Sequence, residues 1–164
     1  MRSLRVLPIV GRWGMIVGTI LPTAVAHGQF SRGIAVDVVG LGTEIVECAR
    51  VRALIEEHAE RFLARVYTPD EARWCQSRAN ATEHFAALWA AKEAVFKSLR
   101  FAGRGGAVWV QIEVEQRTDV PRVTVHGAVR ERMAKAGVGT ILLTTAFTRH
   151  YATATAIALR AGVV

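Results

Sequence analysis

Trp89-Ala90-Ala91-Lys92-Glu93-Ala94-Val95-Phe96-Lys97 is the stretch on which the reading of this 164-residue chain turns. Its apolar residues recur at helical spacing. With their neighbours they predict a helix from about Ala81 to Leu99, whose buried face is Phe85, Leu88, Trp89, Val95, Phe96 and Leu99. Glu93 and Lys97 stand four apart and share one face of that helix, with Trp89 and Arg100 near the same line. Two readings fit this spacing. One is an exposed Glu–Lys pair, worth about 0.3 kcal/mol, and spacing alone favours it. The other is a carboxylate for a hard cation beside a lysine for phosphate.

A Mg²⁺ ion prefers oxygen ligands and is usually held by one or two carboxylates plus substrate phosphates, so the second reading needs another acid nearby. Upstream, Gly40-Leu41-Gly42-Thr43-Glu44-Ile45-Val46-Glu47 supplies one. It closes a β-branched strand predicted over residues 34–46. Glu44 is set among apolar residues, where an unpaired carboxylate is costly. Gly42, on the same face by alternation, leaves room for something bulky beside it.

Outward from these segments the punctuation is regular. Residues 47–66 have a helical stripe of Val51, Leu54, Ile55, Phe62 and Leu63. Thr68-Pro69-Asp70-Glu71 opens another helix with a capping box and proline in the first turn. Gly103 to Gly106 reads as a loop. Val108–Gln116 and Val120–His126 read as strands around a turn at Thr118-Asp119, followed by a short basic helix at 127–136 ended by Gly137. Ile141–Phe147 and Tyr151–Leu159 form a last strand pair. The order predicts a single α+β domain, a mostly antiparallel sheet packed against helices.

Composition narrows the function classes. Half the chain is apolar, 51%, and 21% is charged, which suits a globular domain. Cys48 and Cys75 form no metal-binding or disulfide pattern and fit a reducing compartment as ordinary apolar residues. The net charge is +7, of which residues 1–33 carry +4 through Arg2, Arg5, Arg12 and Arg32. The remaining +3 suits an acidic partner or a polyphosphate ligand and by itself does not argue for nucleic acid, nor is there an arginine-rich tract with interleaved aromatics. Residues 1–33 differ from the rest, with a basic start, an apolar run from Met15 to Ala26, and Ala24-Val25-Ala26. They resemble a secretory signal, but upstream sequence ahead of the domain at 34–164 fits better with a cytosolic reading. Gly18 and Pro22 interrupt the run, so no membrane span is expected.

Four segments together resemble the holo-acyl-carrier-protein synthases of the 4′-phosphopantetheinyl transferase superfamily. Residues 40–47 are similar to their G-I/L-G-x-D-I/L-V-E opening, and 89–97 to F-A-x-K-E-A-x-x-K. Arg61-Phe62-Leu63-Ala64-Arg65-Val66-Tyr67-Thr68-Pro69-Asp70-Glu71 is similar to the family's R-F-L-x-R-I/V-F/Y-S/T-P-x-E stretch, and Arg149 to Ala154 resembles a closing strand. The likeness covers about residues 38–160. It implies the phosphopantetheinyl transferase fold. It implies a cytoplasmic enzyme of fatty acid biosynthesis that moves the 4′-phosphopantetheine arm of coenzyme A to a serine of apo-acyl carrier protein. In that role Glu44 and Glu93 would hold Mg²⁺, and Glu93 and Lys97 would serve catalysis. Lys92, Lys97 and Arg100 would meet coenzyme A. Arg50 and Arg52 would meet the carrier protein, a solvated face being an equal reading for these two. A homotrimer is implied as well.

The chain departs from the family at several of these places. Glu44 stands where Asp is usual, and Leu88 precedes Trp89 where Arg is frequent. Arg100-Phe101-Ala102 replaces a G-T-G, and Thr144-Thr145-Ala146-Phe147 replaces S-x-S-H, with His150 close behind. Two expectations therefore stand: an active transferase, or a non-catalytic paralogue that keeps a carrier-protein or coenzyme A binding face.

Overall fold

The structure, a computed structural model, describes residues 37–101, 108–116 and 120–162. The leader at 1–33, the loop Gly103 to Gly106 and the turn at Thr118-Asp119 lie outside the described residues. Strand β1 (Val38–Glu47) pairs antiparallel with β5 (Tyr151–Arg160), which pairs antiparallel with β4 (Val138–Phe147). Across one face of this sheet runs helix α3 (Ala81–Ser98), the central element of the core.

Small residues set how closely helix and sheet approach. From β5 the inward side chains are Ala152, Ala154, Ala156 and Ala158, and from α3 they include Ala86, Ala87, Ala90, Ala91 and Ala94, all buried. On β1 the approach is closer still. A Cβ on Gly40 would lie 2.1 Å from the Ser98 carbonyl oxygen, and one on Gly42 would lie 2.0 Å from that of Ala94. The bulky neighbour for which Gly42 leaves room is therefore the backbone of α3.

Helix α1 (Cys48–Val66) bends at Ala59, whose φ of 41° and ψ of −123° are non-helical. The bend brings Phe62 edge-on to Trp89 at 5.5 Å and to Tyr67 at 6.1 Å. Helix α2 (Pro69–Gln76) starts with the expected capping box: Thr68 Oγ1 accepts the Glu71 amide, and Glu71 Oε2 accepts the Thr68 amide. Strands β2 (Ile112–Glu115) and β3 (Arg122–Val125) form a separate hairpin, followed by α4 (Gly127–Lys135). The α+β architecture and its antiparallel pairing match the sequence reading. Cys48 and Cys75 are buried free thiols whose pKa values burial pushes up, consistent with a packing role.

Two expectations change. The strand predicted over Val108–Gln116 begins only at Ile112, because Trp109–Gln111 is a 3₁₀ turn. The Trp109 carbonyl accepts the Ile112 amide within the turn and also Lys92 Nζ, and that of Gln111 accepts the His126 amide. Trp89, expected on the buried face, lies at the margin of the core, half-buried. Its neighbour Lys92 takes the interior place instead. Among the described residues, no helix is long and apolar enough to cross a membrane.

Candidate active site

The close approach of β1 to α3 fixes where Glu44 stands. Gly40, Gly42 and Glu44 share one strand face by alternation, and the two glycines already touch α3 between Ala94 and Ser98. Glu44, the next residue on that face, meets the same helix: its Oε2 lies 3.0 Å from Lys97 Nζ. Lys97 Nζ also donates to the Thr43 carbonyl at 2.9 Å. The Glu44 side chain is 23% exposed and that of Lys97 49%, so the pair faces solvent without being free in it. One turn earlier on the helix, Glu93 is half-buried and its Oε1 accepts the Trp109 indole N–H at 2.6 Å. Glu44, Lys97 and Glu93 thus stand along one face of α3.

Lys92 is elsewhere, which corrects the expectation that its charge is open to a ligand. Its side chain is 0% exposed, and Nζ lies 2.7 Å from Glu71 Oε2 and 3.1 Å from the Trp109 carbonyl oxygen. Burial lowers its pKa, and the adjacent Glu71 carboxylate opposes that shift. The next residue in the helix is rotated by about 100°, so Lys92 turns inward while Glu93 turns out. Sequence spacing does not assign Lys92 to either face; its partner Glu71, 21 positions earlier, decides the matter.

Arg100 follows the end of α3 in a left-handed conformation, φ 49°. Its amide bonds to the Lys97 carbonyl at 3.0 Å and that of Phe101 to the Phe96 carbonyl at 3.1 Å. This is the glycine-type helix terminus, completed by the contact of Phe101 with Phe96 at 5.4 Å. An arginine therefore occupies a backbone conformation suited to the family's glycine, and its side chain is exposed.

Beside the acids lies a groove of about 600 Å³ lined by Arg50, His58, Arg61, Arg65, Trp89 and Trp109, among others. The Arg50 guanidinium lies 5.7 Å over the Trp89 ring. Arg52 is exposed on α1 and does not line the groove. Arg61 and Arg65 line this groove although sequence reasoning does not single them out; their spacing of four on a helix puts them on one face. Trp109 gives no signal beyond an aromatic in an alternating run.

The donor set suits a hard cation. Glu44 and Glu93 offer carboxylate oxygens and no soft ligand. Among the described residues, no three acidic, histidine or cysteine side chains gather to form a complete cage. Two carboxylates, with waters and substrate phosphates filling the remaining positions, is the usual arrangement for Mg²⁺.

The family profile of the 4′-phosphopantetheinyl transferase superfamily matches residues 40–156, from the first glycine of β1 into β5. This chain belongs to that superfamily. It is 42% identical over 107 residues to a holo-[acyl-carrier-protein] synthase of Rhodopirellula baltica, covering 65% of this chain and 85% of that one. To the synthase of Koribacter versatilis it is 40% identical over 121 residues, 73% of this chain and 97% of the other. The Helicobacter pylori synthase, solved in complex with coenzyme A, shares its fold with a TM-score of 0.60 at 22% identity. That match covers 72% of this superfamily member and 98% of the Helicobacter chain.

Proposed function

We propose that this phosphopantetheinyl transferase moves the 4′-phosphopantetheine group from coenzyme A to a serine of an apo-acyl carrier protein, releasing 3′,5′-ADP. One observation carries the reading: Glu44 reaches α3 at Lys97, one turn from Glu93, so strand and helix acids share one helix face. The serine oxygen attacks the phosphorus that bears the pantetheine arm. The bond from that phosphorus to the bridging oxygen breaks, and the oxygen leaves with ADP. The serine proton passes to water at the site, which leaves Glu93 Oε2, the oxygen not engaged by Trp109, for the cation. Lys97 neutralises developing phosphate charge, and Arg100, at the end of the same helix, meets the donor's phosphates. Mg²⁺, held by Glu44 and Glu93 when bound, would supply charge neutralisation at the pyrophosphate.

The basic groove fits an acidic carrier protein. Arg50, Arg61 and Arg65 line it, and Arg52, exposed on α1 outside the groove, is assigned to the carrier protein by the family likeness alone. The face of the sheet turned away from α3 carries exposed Leu41, Ile45, Leu142 and Tyr151. Such a patch on a sheet is suited to a second copy of the chain, and we read it as the contact of a homotrimer. The use of coenzyme A and a carrier protein, together with free thiols, supports a cytoplasmic setting for the reaction.

A second reading, a non-catalytic paralogue that keeps a carrier-protein or coenzyme A binding face, draws on two observations. Lys97 already neutralises Glu44, and Arg100 stands where the family has glycine. Incubation with coenzyme A, Mg²⁺ and several apo-carrier proteins separates the two. Mass spectrometry should show a gain of one phosphopantetheine on a carrier; a folded protein that modifies none would favour the paralogue. Glu93→Gln should abolish the transfer and leave the fold intact, and unchanged turnover would remove Glu93 from the site.

A further inference from the structure

Trp109 sits where the core's buried ion pair meets the site acids. Its indole Nε1 donates to Glu93 Oε1 at 2.6 Å, a short bond to a charged acceptor. Its carbonyl oxygen accepts from Lys92 Nζ at 3.1 Å, and Lys92 is fully buried against Glu71. The other Glu71 oxygen accepts the Val114 amide at 2.8 Å, on the strand that comes after the Trp109–Gln111 turn. The Gln111 carbonyl in turn accepts the His126 amide at 2.8 Å. The turn is therefore tied on both flanks. The indole also meets the Trp89 ring edge-on at 6.0 Å. A carboxylate held at one oxygen by a donor that is itself anchored loses much of its rotational freedom. It offers its second oxygen in one direction.

We propose that Trp109 is a positioning residue for the transfer: its indole N–H fixes Glu93 so that Oε2 alone is presented to the divalent cation. The assignment rests on the reading of Glu93 as a site acid. The buried Glu71–Lys92 pair, which does not itself reach the substrates, acts on the site through the Trp109 backbone. Partners that orient a ligating side chain typically change metal affinity 10- to 100-fold when removed.

The test compares wild-type protein, Trp109→Phe and Glu93→Gln, with coenzyme A present, by Mn²⁺ titration followed by electron paramagnetic resonance. Trp109→Phe keeps a ring in the turn and removes the donor. It should weaken Mn²⁺ binding about tenfold. It should also lower kcat by a larger factor than it raises the KM for the carrier protein, whose groove Trp109 helps to line. The second measurement needs no folded tryptophan variant. In the wild-type spectrum, the Trp109 indole N–H resonance should lie downfield and move when Mg²⁺ is added, and it should move again in Glu93→Gln. The indole of Trp74 should not move. Mn²⁺ affinity of Trp109→Phe within twofold of wild type, or an indole resonance indifferent to Glu93→Gln, overturns the role of Trp109. If Glu93→Gln itself binds Mn²⁺ like wild type, the reading of Glu93 falls, and the positioning role falls with it.

Discussion

Gly42 has no room for a methyl group. A Cβ there would lie 2.0 Å from the Ala94 carbonyl oxygen and 2.6 Å from the Ser98 amide nitrogen, both helix backbone that cannot rotate aside. Gly42→Ala should therefore push β1 off α3, at a cost of about 3 kcal/mol, read as a lower urea midpoint. The same shift would carry Glu44 away from Lys97, so residual folded protein should transfer poorly. Arg100 presents the reverse case. Its left-handed φ of 49° is strained for any residue with a Cβ, and the terminus it completes is one that glycine fills freely. Arg100→Gly should raise stability by about 1 kcal/mol in a thermal melt. If the guanidinium meets the donor's phosphates, the same variant should bind coenzyme A less tightly. Stability and affinity would then move in opposite directions, an outcome that a purely structural arginine would not give.

Helix α3 works on two sides at once. Glu93 and Lys97 turn toward solvent and β1, whereas Lys92 turns into the core and pairs with Glu71 at the start of α2. Lys92→Met would leave the Glu71 carboxylate buried without its cation, and should cost about 4 kcal/mol. The double variant Glu71→Gln with Lys92→Met should recover part of that loss in a double-mutant cycle, because no uncompensated charge remains. The N-terminal turn of α3 carries a pH-sensitive group. His84 is buried edge-on between Trp74 at 4.8 Å and Phe147 at 4.9 Å, and its Nδ1 has no hydrogen-bond partner among the described residues. Burial pulls its pKa below the ordinary histidine value and Arg78 acts in the same direction, with Glu83 opposing. The folded chain therefore takes up a proton less readily than the unfolded chain. The His84 contribution is intact above about pH 6.5 and is lost progressively as pH falls toward the lowered folded-state pKa. Urea midpoints measured between about pH 7.5 and 5 should decline for the wild type, and His84→Phe should flatten that part of the slope. Phe147, which stands where the family has histidine, is thus packed against a histidine from another element.

For the whole molecule, the open side of the three-stranded sheet is the feature that a single chain leaves unexplained. Ile45 is 65% exposed and Leu41 59%, on a face that continues through Ile157 of β5 to Leu142 of β4. Burying such side chains gains about 2 kcal/mol each, enough to hold copies together when several act in concert. Sedimentation should show the wild type as a trimer and Ile45→Lys as a monomer. A wild-type protein that sediments as a monomer at micromolar concentration would remove this face as a subunit contact.

Much of this organisation is local and therefore legible without coordinates. Alternation marks β1, β4 and β5, helical spacing marks α1 and α3, and Thr68 to Glu71 specifies a capping box from four adjacent residues. Glu44 stands out because an acid in an apolar strand is costly without a partner, whereas Glu93 and Lys97 stand out through the family likeness of residues 89–97, their spacing alone fitting an exposed pair. Periodicity cannot see the interruption of strand pattern at Trp109, nor the bend at Ala59, since both depend on partners far along the chain. The inward turn of Lys92 and the bond from Trp109 to Glu93 likewise require α2, α3 and the 3₁₀ turn to be packed together. Sequence alone determined which elements form, because propensity and spacing act over a few residues, and its motif likeness marked which acids were worth attention. Tertiary structure alone decided which side chains meet, because burial and pairing are settled between segments that only packing brings within a few ångströms.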